Sequence, residues 1–204
     1  VELKERFEAL SKTEQQAILD KHRPVEMEDH WWDNVYEQFQ YDLIEAGYGV
    51  NVNHGRPSIF FSGFCSQGDG ACFEGYVADF TRAAKDFPVL LKAAYTDRSL
   101  RWYSRGNYCH AETLEFSEYF DVRNEFDRRD EPLRWHARES EIRDAENEWV
   151  KFVEATEKKV KDLCCDLYTK LEEENDHLTS DETVLENLIA NDLLEGELNE
   201  QESA

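Results

Sequence analysis

Apolar residues recur at three- and four-residue steps between about Asp29 and Ala46: Trp32, Val35, Tyr36, Phe39, Leu43 and Ile44. That spacing predicts an amphipathic helix, and Gly47 stands where a helix-terminating glycine belongs. Trp31 lies beside the stripe, free to face a second layer or a partner. Upstream, Ser11-Lys12-Thr13-Glu14 reads as a capping box opening a shorter helix that carries Ala17, Ile18 and Leu19, before Pro24 breaks the chain. From Tyr48 the period changes to two. Tyr48 to Val52 alternates, and Ser58 to Phe64 is rich in residues that favour strands. Ser66-Gln67-Gly68-Asp69-Gly70 then reads as a turn, and Ala71 to Val77 as the returning strand. Phe80 to Tyr95 is helical in spacing and interrupted by Pro88. Leu100 to Ser104 and Tyr108 to Phe120 predict a second hairpin turning at Gly106-Asn107.

After Pro132 the pattern is helical for a long stretch. Ile142, Trp149, Phe152, Val153, Val160, Leu163, Leu167 and Leu171 form one stripe, with Glu and Lys on the other faces. Such a helix packs along a sheet or projects as an arm able to pair with a second copy, giving a homodimer. Thr179-Ser180-Asp181-Glu182 predicts a second capping box, opening a helix with Val184, Leu185, Leu188, Ile189 and Leu193 that closes at Gly196. The last eight residues read as disordered. The fold class expected is α+β: an antiparallel sheet of about four or five strands covered by helices, with a long C-terminal helix and a short acidic one. The division expected is a core over 1–136 and an acidic helical extension over 137–204.

Charge changes this picture most. The 204 residues carry 46 acids against 23 Lys and Arg, a net −23. Residues 1–136 account for −9 and residues 137–204 for −14, and Glu172 to Ala204 holds 12 acids with no Lys or Arg. Such a chain repels nucleic acid and anionic membrane and is steered toward a basic surface. The arginines at 123, 128, 129 and 134 alternate with acids and make no phosphate track. No stretch approaches the roughly 18 apolar residues of a membrane span. The first ten residues carry charges where a signal peptide has an apolar centre. Five cysteines (Cys65, Cys72, Cys109, Cys164, Cys165) form no framework and read as reduced thiols, so the expected compartment is the cytoplasm.

The most distinctive string is Phe61 to Gly75, FSGFCSQGDGACFEG. With Trp31-Trp32 before it and Gly106-Asn107-Tyr108-Cys109-His110 after it, the chain resembles a family of small phage and bacterial proteins carrying an FSGFxSQGDGAxFEG block, often labelled antitoxin-like. The resemblance covers roughly Asp29 to Phe120 and implies a phage or mobile-element origin rather than an activity. Taken by itself, the glycine-rich segment could form an anion-binding nest, but it lacks a phosphate-loop Lys and Asp69 opposes an anion. A hairpin loop needing positive φ is the simpler reading. A Ser66–His110–Asp69 triad lacks a nucleophile elbow. Cys65, Cys72, Cys109 and His110 lack the paired spacing of a zinc site.

These residues predict a binding protein with no cofactor, no metal and no catalytic residue. Its contacts would be Glu172, Glu173, Glu174, Asp176, Asp181, Glu182 and Glu186, with carboxylates on helices imitating a phosphate array. The partner would be a basic host protein that itself acts on nucleic acid. Alternatives are an antitoxin-like partner that binds through an aromatic surface including Trp31, and a small hydrolase or metal-dependent enzyme built on the hairpin loops.

Overall fold

The computed structural model describes residues 2–24, 30–64, 66–92, 96–105, 109–122 and 132–202. Cys65, Tyr95, the expected turn at Gly106-Asn107, Tyr108 and residues 123–130 lie outside them, as does the side chain of Arg134. The fold is α+β, as the change of period along the chain predicts. Two units pack separately: residues 34–170 form one, while residues 1–33 join residues 171–204 in the other. The sequence-based boundary after residue 136 does not coincide with this division.

The second of these is all helical. It holds α1 (Glu2–Glu8) and α2 (Lys12–His22) from the N-terminus. Ser11 caps α2 in the predicted reciprocal box, its side chain accepting from Glu14 N while the Glu14 carboxylate accepts from Ser11 N. Sequence reading placed nothing before Ser11, yet α1 contributes Phe7 to the core. That core joins Phe7, Ile18 and Leu19 to Val184, Leu188, Leu194 and Leu198.

The larger unit continues with α3 (Asp33–Glu45), a helix one turn shorter than the stripe suggested. Trp32 precedes it, and Ile44 is 61% exposed rather than packed. Gly47 follows with φ +89°, the left-handed conformation that ends the helix; a Cβ there would stand 2.6 Å from the Asp79 carbonyl. The strands come next: β1 (Tyr48–Val50), β2 (Val52–Asn53), β3 (Arg56–Pro57), β4 (Ile59–Ser62), β5 (Gly70–Phe73) and β6 (Gly75–Val77). Short helices α4 (Phe80–Ala83) and α5 (Pro88–Lys92) restart at Pro88 as expected. They lead to β7 (Thr96–Ser104) and β8 (Leu114–Val122).

β1, β6, β7 and β8 form one antiparallel sheet in that order, while β2–β3 and β4–β5 pair as separate two-stranded ribbons. The second hairpin exists, but its returning strand starts at Leu114 rather than Tyr108. A 3₁₀ turn over Ala111–Thr113, capped by His110, intervenes.

The long helix, α6 (Pro132–Leu178), has 47 residues. Ala145, Trp149, Phe152, Val153, Thr156, Val160, Cys164 and Leu167 bury its stripe. Trp149 stacks on Phe120 of β8 with centroids 4.9 Å apart, and its indole N–H donates to Glu118. Phe73, Trp102 and Phe39 meet edge to face behind the sheet. From Ala145 to Leu167 this stripe is buried within its own chain.

Two C-terminal expectations are corrected. Ser180, not Thr179, caps α7 (Asp181–Ala190), accepting from Thr183 N; the Thr179 hydroxyl instead donates to the Asn175 carbonyl. Gly196 does not close this helix. α7 ends at Ala190, and Gly196 lies inside α8 (Leu194–Glu202), so the tail read as disordered is helical through residue 202. Leu194 and Leu198 are four residues apart, share a face and are buried, which outweighs the cost of about 1 kcal/mol for an interior glycine.

Candidate functional site

The glycine-rich block is organised by packing. Asp69 accepts from Ser66 N at 2.6 Å, which closes the turn, and its carboxylate occupies the space a Cβ on Gly63 would need. Phe64 packs against Phe61 and Tyr168, and the Tyr168 hydroxyl donates to the Gly63 carbonyl at 3.2 Å. The loop is thus tied to α6. Gly70 lets Cys109 and His110 approach, since a Cβ would stand 2.8 Å from the Cys109 carbonyl oxygen.

Asp69 and His110 are both engaged with backbone. His110 Nδ1 accepts from Glu112 N, which leaves Nε2 to carry the proton on a neutral ring. His110 Nδ1 is therefore not available to a carboxylate in the manner a Ser–His–Asp triad requires. Among the described residues no group of three or more His, Cys, Asp or Glu is placed to hold a metal ion. An open depression of about 480 Å³ on α2, lined by Lys12, Thr13, Gln16, Ala17 and Asp20, brings together no acid–base pair in an apolar setting.

The thiols behave as core groups. Burial pushes Cys72 up to about 11 and Cys164 up to about 12, and it raises Cys109 as well. Thiolate is the reactive form, so these sulfurs are inert near neutral pH. Among the described cysteines, exposed Cys165 is expected to react first with an aromatic disulfide reagent in native protein at pH 8, and Cys72 and Cys164 only after unfolding. Rapid native labelling of Cys72, read by peptide mass spectrometry, would contradict this placement.

What remains is surface. The helical unit carries 21 acids against five Lys and Arg, a net −16 over 67 residues, while residues 34–170 carry −7. The buried apolar residues of α1, α2, α7 and α8 form its core, so the acids on these helices and on the end of α6 are held on ordered structure. Glu172, Glu173, Glu174 and Asp176 lie on the last turns of α6; Asp181, Glu182 and Glu186 lie on α7. Glu173, Asp176, Glu182 and Glu186 are exposed, and Glu172 and Glu174 half-buried.

Asp181 differs from these. It pairs with Arg23, whose guanidinium also donates to the Thr179 carbonyl, so Asp181 joins α2 to α7 instead of facing a partner unpaired. Glu197 was not among the expected contacts. Lys21 lies 2.8 Å from it and His22 2.7 Å, and the Lys21 hydrogen bond, followed by that from His22, holds its carboxyl below the ordinary range. A carboxyl depressed in the folded state contributes stability above its unfolded value of about 4.3, and that contribution is lost as pH falls through the folded value. Glu197→Gln is therefore expected to melt below the parent at neutral pH, with the gap closing toward pH 3. A gap independent of pH would show that the ion pairs carry none of it.

Trp31 is half-buried in the turn before α3, edge-on to Trp32 with centroids 5.8 Å apart. A group of exposed aromatic rings lies elsewhere, on the four-stranded sheet. Tyr76 (40% exposed), Tyr103 (39%) and Tyr119 (53%) share the sheet face opposite Leu100 and Trp102. They sit on three different strands, and only the β6–β7–β8 register brings them together.

No curated protein and no solved structure matches the chain. Residues 31–181, which are 151 of the 204, match the family described as Domain of unknown function (DUF8835). The match takes in all of residues 34–170 and the end of α6, and it leaves α1, α2, α8 and nearly all of α7 outside. No helix among the described residues is long and apolar enough to cross a membrane. With this share of its length matched, the chain belongs to the DUF8835 family.

Proposed function

We propose that this chain is an inhibitory binding protein of phage or mobile-element origin that works in the cytoplasm of the host cell. Its acidic helical unit occupies the basic nucleic-acid site of a host enzyme, such as a nuclease, a restriction or CRISPR effector, or a polymerase. The observation that carries this reading is a unit of net −16 whose acids on α1, α2, the end of α6, α7 and α8 stand on packed helices. Ordered carboxylates meet a basic groove at lower entropic cost than a floppy segment does. DNA presents about one charge per 1.7 Å of axis, a density that only an unusually acidic surface approaches. Glu172, Glu173, Glu174, Asp176, Glu182 and Glu186 make the contacts; Asp181 and Glu197 hold the helices together. No residue is assigned a catalytic role, and no cofactor or metal is needed.

A second reading, an antitoxin-like protein that binds through an aromatic surface, is favoured by the exposed tyrosines of the sheet. Salt separates the two. Candidate targets captured from host lysate are assayed for inhibition between about 50 and 200 mM salt. Charge-driven inhibition falls steeply over that range, whereas inhibition through an aromatic surface is nearly constant.

A further inference from the structure

We propose that the edge of β8 away from β7, on which no described strand lies, is a docking site for an extended basic segment of a partner protein, which adds a strand to the four-stranded sheet. β8 pairs with β7 through nine register positions, and no described strand lies on its other side. Nine residues at about 3.4 Å each give an edge roughly 30 Å long, with alternate N–H and C=O groups pointing outward. Protein edges are usually blunted by shortness, Pro, a bulge or charged side chains, and on β8 only the last of these is present, all of one sign. β8 has no Pro, no Gly and no basic residue in LEFSEYFDV.

Its position is fixed from behind by Phe120 on Trp149 and by the Trp149–Glu118 hydrogen bond. Its front row is Glu115, Ser117, Tyr119 and Asp121, all exposed. The charges on this strand are Glu115, Glu118 and Asp121, every one negative.

That sign selects the occupant. A second copy pairing antiparallel over the full strand, centred on Glu118, would set Glu115 opposite Asp121 and Glu118 opposite itself, a destabilising arrangement. A segment with Lys or Arg at alternate positions places cations beside Glu115 and Asp121, and the Tyr119 ring between them offers a cation–π contact. Glu115 already pairs with Arg105, so a guanidinium fits beside it, and a partner's cation there would share or replace that contact. Main-chain hydrogen bonds along the edge supply affinity, and the alternate side chains supply selectivity. This site lies on the sheet unit and does not depend on the acidic helices being an inhibitory surface.

The test uses the full chain, isotope-labelled, and an acetylated eight-residue peptide alternating lysine and valine. Amide shifts in the NMR spectrum are expected to concentrate in Leu114–Val122, and the fully N-methylated peptide is expected to give none. The E115Q/D121N variant, altered only at exposed side chains, is expected to bind about five- to tenfold more weakly, as two exposed ion pairs allow. A variant with Glu172, Glu173, Glu174, Glu182 and Glu186 changed to Gln is expected to keep the β8 shifts in full. The proposal is overturned by an absence of shifts at millimolar peptide, shifts confined to other residues, equal binding of the N-methylated peptide, unchanged affinity of E115Q/D121N, or loss of the β8 shifts in the helix variant.

Discussion

Deleting Glu172 to Ala204 is expected to unfold α1 and α2 along with the segment removed. An acidic extension would be dispensable for folding, but this one supplies Val184, Leu188, Leu194 and Leu198 to a core whose other members are Phe7, Ile18 and Leu19. Each fully buried Leu or Val side chain contributes about 1.5–3 kcal/mol. Four of them together match the whole stability of a small domain, about 5–15 kcal/mol. The deletion also strips Lys21, His22 and Arg23 of Glu197 and Asp181. Hydrogen exchange should show amides of 2–22 exchanging at unfolded rates in the truncated chain while those of β7 and β8 stay protected. Protected α1 and α2 amides would mean that the two halves of the helical unit fold independently. Loss of activity on truncation therefore says nothing about which charges bind.

Gly75→Ala is expected to cost at least about 3 kcal/mol and to lower the melting temperature of the sheet unit by roughly 10 °C, the upper end for an overpacked core. A Cβ there would lie 2.3 Å from the Gly49 carbonyl oxygen and 2.9 Å from Trp102 Cζ2. The first obstacle is backbone in the neighbouring strand, and the second is a fully buried indole packed by Phe73 and Tyr48. Neither can yield without moving the sheet. Gly68→Ala is the control: it has φ +101° and nothing within 4 Å, so only left-handed strain of about 1–2 kcal/mol applies. Equal melting of the two variants would show that close approach is not why glycine stands at the end of the block.

Much of the sheet unit was legible because its signals are local. Period-two runs, the Gly47 stop and the Pro88 restart each depend on residues within a few positions, as does the Ser11 box in the helical unit. The helical unit was not legible in the same way. Lys21 and Glu197 are 176 residues apart, and nothing in either neighbourhood says that they meet. α8 was missed because Gly196 reads as a terminator when only propensity is weighed; burial of Leu194 and Leu198 decides otherwise.

The acidic contacts were found by charge counting, which cannot separate Glu182 from Asp181. One faces solvent and the other holds Arg23. Trp31 was singled out as a large aromatic residue beside a helix, yet it is half-buried. The exposed tyrosines escaped notice because strand register, not spacing along the chain, gathers them on one face.

In the proposed function, carboxylates at the end of α6 and on α7 carry the affinity for a basic partner. Changing Glu172, Glu173, Glu174, Glu182 and Glu186 to Gln tests it most directly, because Asp181 and Glu197 stay in place to keep the helices packed. At about 0.5 kcal/mol for each exposed pair, the five changes together are expected to weaken inhibition of the captured host enzyme by roughly 10- to 100-fold. The variant should melt no lower than the parent, and its inhibition should vary less steeply with salt. A folded variant that inhibits as strongly as the parent, with the same salt dependence, would contradict the claim and move the binding surface to the tyrosine face of the sheet.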